Sequence, residues 1–131
     1  DLYRVKHELR DVMDKKVGVY RTGEALREAL TGIRELRARA EKAPVVDKGR
    51  VYNTNLFNAL ELCNLIDLAE VTVAGAIERE ESRGAHARRD FATRDDEKWL
   101  KHTLAWYKDG AITLGYKPVT ITKYKPKERV Y

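Results

Sequence analysis

The amino-acid sequence predicts a mainly α fold: a three-helix bundle, spectrin-repeat-like in plan, followed by a short helix and a C-terminal β-hairpin with an extended segment. Apolar residues recur at helical spacing in three stretches that together reach residue 81. The apolar period then changes to two in residues 103–116. Within that region, Lys108-Asp109-Gly110 has the composition of a tight hairpin turn.

The first two helices each carry one apolar stripe, the pattern of a surface helix with a single buried side. The stripe of the first helix is formed by Leu2, Val5, Leu9, Val12 and Met13. The stripe of the second is formed by Leu26, Leu30, Ile33, Leu36 and Ala40. The second helix is expected to begin after Thr22, whose hydroxyl suits an N-cap, and to end at Pro44.

The third helix is predicted from Leu56 to Glu81 and is apolar nearly all round. Such a helix is buried on more than one side, so it is the expected central member of the bundle. Its N-cap candidates are Asn53, Thr54 and Asn55. Its exposed edge is expected at Glu61, Asp67 and Glu70. Cys63 is expected to be a small buried hydrophobe.

The C-terminal part is predicted to begin where the helical period is lost, after Gly84. Residues 95–97 have the acidic character of a helix start, and the short helix would carry Trp99. The strands of the hairpin are expected at 103–107 and 111–116, with a third extended run at 119–124 and an extended tail at 125–131.

Composition excludes several classes of protein. The 131 residues suffice for one domain with a core, and the net charge of +5 permits an anionic partner without requiring one. The single cysteine, Cys63, excludes an internal disulfide and a four-cysteine zinc site. No G-x-G-x-x-G, P-loop or G-x-S-x-G motif occurs. The sequence therefore predicts no active site of its own, and a first residue other than Met is compatible with part of a longer protein.

Residues 82–106 are the most charge-dense part of the chain and contain the candidate polar site. His86 and His102 flank the carboxylates Asp90, Asp95, Asp96 and Glu97. A metal site or an acid–base pair is one interpretation, but the spacing matches no established ligand pattern. The favoured interpretation is an ordered polar loop, in which Asp95 and Asp96 begin a helix and the arginines pair with carboxylates.

The arginines of the same stretch allow a second pair of interpretations. Arg83, Arg88, Arg89 and Arg94 lie near Phe91 and Trp99, a combination that could bind single-stranded nucleic acid. Interleaved acidic residues weigh against this, and a loop that docks on a protein surface is favoured because Arg and aromatic residues are enriched in interface cores. The basic tail could contact anionic lipid or lie along a partner; its residues are Lys117, Lys123, Lys125, Lys127 and Arg129.

The order of residues in this stretch is specific enough to resemble a known family. ESRGAHARRDFATRDDEKWLKHTLAW, which ends at Trp106, resembles the C-terminal signature of the flavoprotein subunit of succinate dehydrogenase and fumarate reductase. VMDKKVGVYRTGEALREAL, NTNLFNALELCNLIDLAEVTVAGAIEREESRGAH and the PKERVY ending are similar to other parts of that family's C-terminal region. Ala92 departs from the pattern, which usually has Pro there. Aspartate oxidases and adenylylsulfate reductases share the plan, but residues 94–105 are more similar to succinate dehydrogenase and fumarate reductase.

The resemblance implies a single domain, residues 1–131, of a larger flavoprotein, with a helical bundle at 1–82 and a loop, short helix and β-rich segment at 83–131. The parent would bind FAD covalently, interconvert succinate and fumarate, and pass electrons to an iron–sulfur subunit. The family's flavin, dicarboxylate and proton-shuttle residues lie upstream of this region. No catalytic, cofactor-binding or metal-binding residue is therefore assigned here, and no activity is expected of the isolated chain.

The expected role is packing on the FAD-binding domain of the same polypeptide, with the iron–sulfur subunit as a second partner and with neither nucleic acid nor a membrane span. The implied location is cytoplasmic, peripheral on the inner face of the cell membrane, or on the matrix side in mitochondria. The alternatives are a free-standing interaction module and the C-terminal domain of a flavoprotein such as L-aspartate oxidase. The candidate docking residues are Arg83, His86, Arg88, Asp90, Arg94, Asp95, Asp96, Trp99 and His102.

Overall fold

The computed structural model describes residues 1–127 and confirms the predicted mainly α architecture. The bundle consists of α1 (Leu2–Lys16), α2 (Gly23–Lys42) and α3 (Thr54–Glu78). A four-residue helix, α4 (Asp96–Trp99), precedes the hairpin of β3 (Lys101–Lys108) and β4 (Ala111–Pro118). A short parallel pair joins β1 (Tyr20–Arg21) to β2 (Ala87–Arg88).

Side-chain caps set the helix starts. Thr22 accepts a hydrogen bond from the amide of Ala25 at 3.2 Å, as predicted. Of the three candidates for α3, Asn53 is the cap and accepts from the amide of Leu56 at 2.8 Å. α3 ends at Glu78, earlier than predicted, because the backbone turns extended at Arg79.

The core lies between the three long helices and contains the predicted stripes of α1 and α2. Leu26 and Ile33 of α2 are fully buried, and Val73 of α3 faces them from the opposite side of the core. Burying one such side chain stabilises the fold by about 1.5–3 kcal/mol. The remaining buried members of this core are Leu2, Val5, Leu9, Val17, Ala29, Leu36, Leu62, Ile66, Ala69 and Ala76.

The prediction that α3 is buried on more than one side is wrong for most of its length. α1 and α2 both pack on one side of α3, and the hairpin contacts only its C-terminal part, near Gly75. The outward face is therefore exposed, and Cys63, predicted to be buried, is exposed. Conversely Glu70, predicted at the exposed edge, is buried because its carboxylate accepts hydrogen bonds from Arg34 and Arg37 of α2.

The hairpin is confirmed and extends beyond its predicted ends. Lys108 pairs with Ala111, and Asp109 and Gly110 between them have φ values of 52° and 77°. Positive φ at both central residues is the geometry of a type I′ turn, which matches the twist of the strands and explains the Asp-Gly sequence. Residues 119–124 pair with no strand in the described part of the chain, because the ladder ends where Pro118 meets Lys101. The end of the predicted tail, 128–131, lies outside the described residues.

No helix within residues 1–127 combines the length and apolarity that crossing a membrane requires.

Two glycines of α2 give opposite expectations for substitution by alanine. At Gly32 an added Cβ would meet only Val12 Cγ2, at 3.9 Å, so Gly32→Ala is expected to stabilise the chain by about 0.5–1 kcal/mol through helix propensity. At Gly23 the Cβ would lie 3.0 Å from Arg88 Nη2 and 3.1 Å from Asp90 Oδ2, so Gly23→Ala is expected to destabilise. Urea unfolding followed by circular dichroism measures both; equal shifts for the two variants would contradict this packing.

Candidate functional site: an ion-paired crossing loop

Residues 79–99, here called the crossing loop, run from the end of α3 to the turn between α1 and α2 and back to the hairpin. Two backbone hydrogen bonds tie the loop to that turn: Ala87 N–H donates to the Val19 carbonyl at 3.1 Å, and Arg89 N–H donates to the Arg21 carbonyl at 2.8 Å. The loop thus connects all three long helices. The β-branched, glycine-containing stretch before α2 provides the extended backbone that this pairing needs.

Arg88 is the buried centre of the crossing loop, with a residue exposure of 3%. Its Nη1 donates to the carbonyls of Ala76 and Ile77 at 2.9 and 3.0 Å, where α3 ends. The last carbonyls of a helix have no intrahelical partner, and a cation placed there satisfies them and opposes the helix dipole. Arg88 therefore caps the C-terminus of α3.

The opposite edge of the same guanidinium binds Asp90 in a bidentate pair. Arg88 Nε and Nη2 donate to the two carboxylate oxygens of Asp90, each at 2.8 Å. Oδ2 of Asp90 also accepts the amide of Gly23 at 2.9 Å, the first residue of α2. The hydrogen bond from Arg88, which outweighs burial, holds the pKa of Asp90 well below its usual range. One ion pair thus joins the end of α3 to the beginning of α2.

A second cluster surrounds Glu81, which is fully buried. Its carboxylate accepts hydrogen bonds from Arg79 at 2.6 Å and Arg83 at 2.9 Å, and from the amide of Asp95 at 2.9 Å. Burial alone would raise the pKa of Glu81, but the bonds from Arg83, the Asp95 amide and Arg79 outweigh burial and lower it. Glu81 is therefore ionised and holds both ends of the loop together.

Arg79 extends this cluster to the hairpin. Its Nη1 donates to the carbonyl of Trp99 at 3.0 Å and its Nη2 to the carbonyl of Lys101 at 2.6 Å. The guanidinium lies 5.1 Å from the ring centroid of Trp99, which is 3% exposed and packs edge-to-face on Tyr116. Arg79 and Trp99 thus strengthen the attachment of the β-hairpin to the bundle.

His86 is a neutral imidazole that joins Arg79, at the start of the crossing loop, to Arg21, which lies just before α2. Its Nε2 lies 2.9 Å from the carbonyl of Arg79, and its Nδ1 lies 2.8 Å from Nη1 of Arg21. A carbonyl only accepts and a guanidinium only donates, so the proton is on Nε2 and Nδ1 accepts. Burial lowers the pKa of His86, and the charges of Arg21, Arg88 and Arg79 act in the same direction, against the bond to the Arg79 carbonyl.

We expect His86 to remain the Nε2–H tautomer at neutral pH and to titrate below the ordinary value of 6.5. Because the unfolded chain then binds the proton more readily, this group's contribution to stability is complete above that value and declines as the pH falls through the folded pKa. Nitrogen NMR of the imidazole, assigned with His86→Gln, measures both properties. A protonated Nδ1 at neutral pH would contradict the hydrogen-bond assignment.

The remaining candidate residues lie toward the surface. Arg83 and Arg94 both pair with Asp96, at 2.6 and 2.9 Å. Asp95 caps α4 by accepting from the amide of Lys98 at 2.9 Å, as predicted. His102 is exposed and lines an open cavity of about 450 Å³ together with Arg79, His86, Trp99 and Lys101.

The structure therefore confirms the predicted pairing with carboxylates for Arg83, Arg88 and Arg94, whereas Arg89 lies over the ring of Tyr20. Within residues 1–127, no group of three or more His, Cys, Asp and Glu side chains is arranged to hold a metal ion. The guanidinium of Arg88 is buried and lies 5.0 Å from the Phe91 ring centroid, whereas the ring of Phe91 is exposed.

Sequence reasoning missed two residues on which the loop depends. Glu81 was assigned to the end of α3, although its position two residues from both Arg79 and Arg83 signals a shared carboxylate. Ser82 was not considered: its hydroxyl accepts the amide of Arg88 at 2.9 Å and lies 2.8 Å from the carbonyl of Phe91, so it holds the loop's turn closed.

The described residues do not fit a flavin dinucleotide. Such a cofactor binds where a parallel strand leads through a Gly-rich turn to a free helix N-terminus. The parallel strands here have two residues each, and β1 leads into α2. The N-terminus of α2 is already occupied by the carboxylate of Asp90 and the hydroxyl of Thr22. No step of flavin chemistry is therefore assigned to these residues.

The geometry defines a helical domain in which most of the clustered charges of the crossing loop are paired with one another. Comparisons with known proteins place it more narrowly. Residues 6–131 match the family model described as "Fumarate reductase flavoprotein C-term". The chain belongs to this family, the C-terminal domain of the fumarate reductase and succinate dehydrogenase flavoprotein subunits, which confirms the resemblance seen in the sequence.

Individual proteins that are similar to this chain belong to the same family. The fumarate reductase flavoprotein subunit of Mycobacterium tuberculosis is 43% identical over 128 residues, covering 97% of this chain and 22% of that protein. The succinate dehydrogenase flavoprotein subunit of Rickettsia conorii is 42% identical over 132 residues, covering 95% and 22%. A structure of Escherichia coli quinol fumarate reductase superposes with a TM-score of 0.94 at 36% identity, covering all of this chain and 23% of that one. The chain thus spans about a fifth of the length of these relatives.

Proposed function

We propose that this chain is the non-catalytic C-terminal domain of a flavoprotein subunit that interconverts succinate and fumarate, and that it packs on the FAD-binding domain of the same polypeptide. The observation that carries the proposal is that the buried charges of the crossing loop are paired within the chain. Glu81 and Arg88, which are buried and ionised, are fully bonded to partners within the chain. Catalytic groups instead keep at least one hydrogen-bonding position free for a substrate.

The candidate docking residues then divide into two groups. Arg88 and Trp99 are each 3% exposed and hold the loop from inside. The surface members would meet the FAD-binding domain: His102 is exposed, and the side chains of Asp90 and Asp96 are 37% and 39% exposed. Support comes from the pairing of Asp96 with two arginines, which presents a nearly neutral polar surface suited to a hydrogen-bonded interface.

The parent protein would bind FAD in its upstream part and pass electrons to an iron–sulfur subunit, and the basic tail is proposed to lie along that partner. The relatives' names support the class of parent: they are flavoprotein subunits of fumarate reductase and succinate dehydrogenase. The proposed location is cytoplasmic, peripheral on the inner face of the cell membrane as part of the complex, or on the matrix side in mitochondria.

Deleting this domain from the full-length flavoprotein subunit tests the proposal. We expect the shortened subunit to lose bound FAD, association with the iron–sulfur subunit and succinate oxidation together, because the surface that the domain covers becomes exposed. The full-length subunit, purified in parallel, is the control. A shortened subunit that retains FAD, binds its partner and turns over succinate normally would overturn the proposal.

A further inference from the structure

The outward face of α3 is an uncovered apolar surface, here called the α3 stripe. Phe57, Leu60 and Leu68 are 67%, 61% and 65% exposed, and Leu56 one turn before Leu60 is 45% exposed. Their spacing of three, four and eight residues places them along one side of the helix, opposite the core residues Leu62, Ile66 and Val73. Scattered exposed leucines are ordinary, but a continuous row on one helix usually has a partner.

The charged residues beside the stripe are turned away from it. Lys6 of α1 holds Glu61 at 2.5 Å, and Arg37 of α2 holds Asp67 at 2.6 Å. These ion pairs direct the carboxylates toward the neighbouring helices of the bundle. Glu61 and Asp67, the only charged residues of α3 between Leu56 and Leu68, are thus each paired with a cation from α1 or α2. The core of a protein interface is likewise poor in unpaired charges.

A groove continues the stripe toward α1. Leu65 and Leu68 of α3 line it on one side, and Leu9 and Met13 of α1 line it on the other. Its volume is about 480 Å³. A partner that covered the α3 stripe could insert apolar side chains here, because a concave apolar site beside an apolar ridge gives shape complementarity.

The geometry points to the upstream, FAD-binding part of the same polypeptide as the occupant of the α3 stripe, an inference that rests on the proposed function. The match covers 22% of the Mycobacterium tuberculosis relative, so nearly four-fifths of that protein lies outside the matched region. Lys6 also bonds Asn58 at 3.2 Å, which sets the first turns of α1 beside the first turns of α3. Polypeptide that precedes α1 would therefore arrive at the end of the bundle where Leu56 and Phe57 lie.

Docking would then use two surfaces of different chemistry. The α3 stripe provides the apolar area of docking, and the surface residues of the crossing loop provide its polar margin. This explains why α3 is apolar nearly all round although only one side of it is covered here. The helix is central in the intact protein, with the bundle on one side and the upstream domain on the other.

Cys63 provides a direct probe, since it is exposed in this structure and lies three residues beyond Leu60. In the native full-length subunit we expect its alkylation by a maleimide to be at least about tenfold slower than that of a reference thiol introduced by Thr31→Cys on the exposed side of α2. Peptide mass spectrometry distinguishes the two sites from any other cysteine. In urea both should react at the same rate.

Equal native rates at the two thiols would overturn the assignment of the α3 stripe. The deletion experiment decides independently whether the domain is needed for FAD retention. Protection of Cys63 that disappears on dilution, together with a dimeric mass by light scattering, would identify a second copy as the occupant and also overturn it. Protection in a monomeric subunit supports it. Leu60→Glu should then raise the Cys63 rate toward that of the reference thiol. Thr31→Glu, made in the subunit without the reference thiol, should leave the Cys63 rate unchanged.

Discussion

Replacing Arg88 by methionine should lower the free energy of unfolding of the chain by about 3 kcal/mol, a large part of the stability of an ordinary domain. The side chain is 3% exposed and joins the carbonyls that end α3 to the carboxylate of Asp90, which binds the first amide of α2. Methionine fills much of the volume but donates nothing, so the carbonyls of Ala76 and Ile77 would be left buried and unpaired.

Arg89 offers a matched control for Arg88. It is adjacent and exposed. Within residues 1–127 its guanidinium makes no ion pair and lies over the face of Tyr20, at 5.4 Å from the ring centroid. Arg89→Met should change the unfolding free energy by less than about 1 kcal/mol. Urea denaturation of the two variants makes the comparison, and equal losses would show that the buried pair with Asp90 does not carry the predicted share of stability.

Replacing Glu81 by glutamine should be similarly costly, at about 3–5 kcal/mol. The carboxylate is fully buried and is shared by Arg79, Arg83 and the amide of Asp95. Glutamine keeps the shape but removes the charge that compensates two guanidinium groups. Glu80→Gln is the control, because Glu80 is exposed and its only ion pair within residues 1–127 is with Lys98 at 3.5 Å.

Glu81 also predicts how the chain responds to acid. Its folded pKa is lowered from the ordinary 4.5, so the unfolded chain takes up the proton first. The stability it contributes is complete above 4.5 and is lost as the pH falls through the folded pKa. Unfolding free energies measured from about pH 7 down to about pH 3 should fall less steeply in Glu81→Gln than in the unmodified chain. Parallel pH profiles would contradict the assignment.

Local patterns were enough to predict the helices and the hairpin of this fold, but not the short parallel pair of β1 and β2. Thr22 caps α2, the stripe containing Leu26 and Ile33 forms the core, and Asp109-Gly110 makes the hairpin turn, because each effect acts within a few residues. The pairing of the loop's arginines with carboxylates was also predictable as a type of interaction. The particular partners were not, since Gly23 and Asp90 come together only through the tertiary fold.

The errors have a common physical origin. The apolar pattern of a helix does not specify which neighbouring elements reach each of its sides. α3 was predicted to be buried on more than one side, yet its residues Phe57 and Leu60 are exposed because neither α1 nor α2 reaches that side of the helix. Glu70 was read as surface because a lone glutamate usually is, and two arginines from α2 reverse that expectation.

The measurement that tests the central claim most directly is succinate turnover per bound FAD in the full-length subunit carrying His86→Gln. If the crossing loop is structural, the variant should lose thermal stability while its turnover per bound FAD stays within about twofold of the unmodified protein. General acid–base groups contribute about a hundredfold or more to a rate. A loss of that size per bound FAD, with unchanged stability, would mean that the loop takes part in the chemistry and would contradict the account.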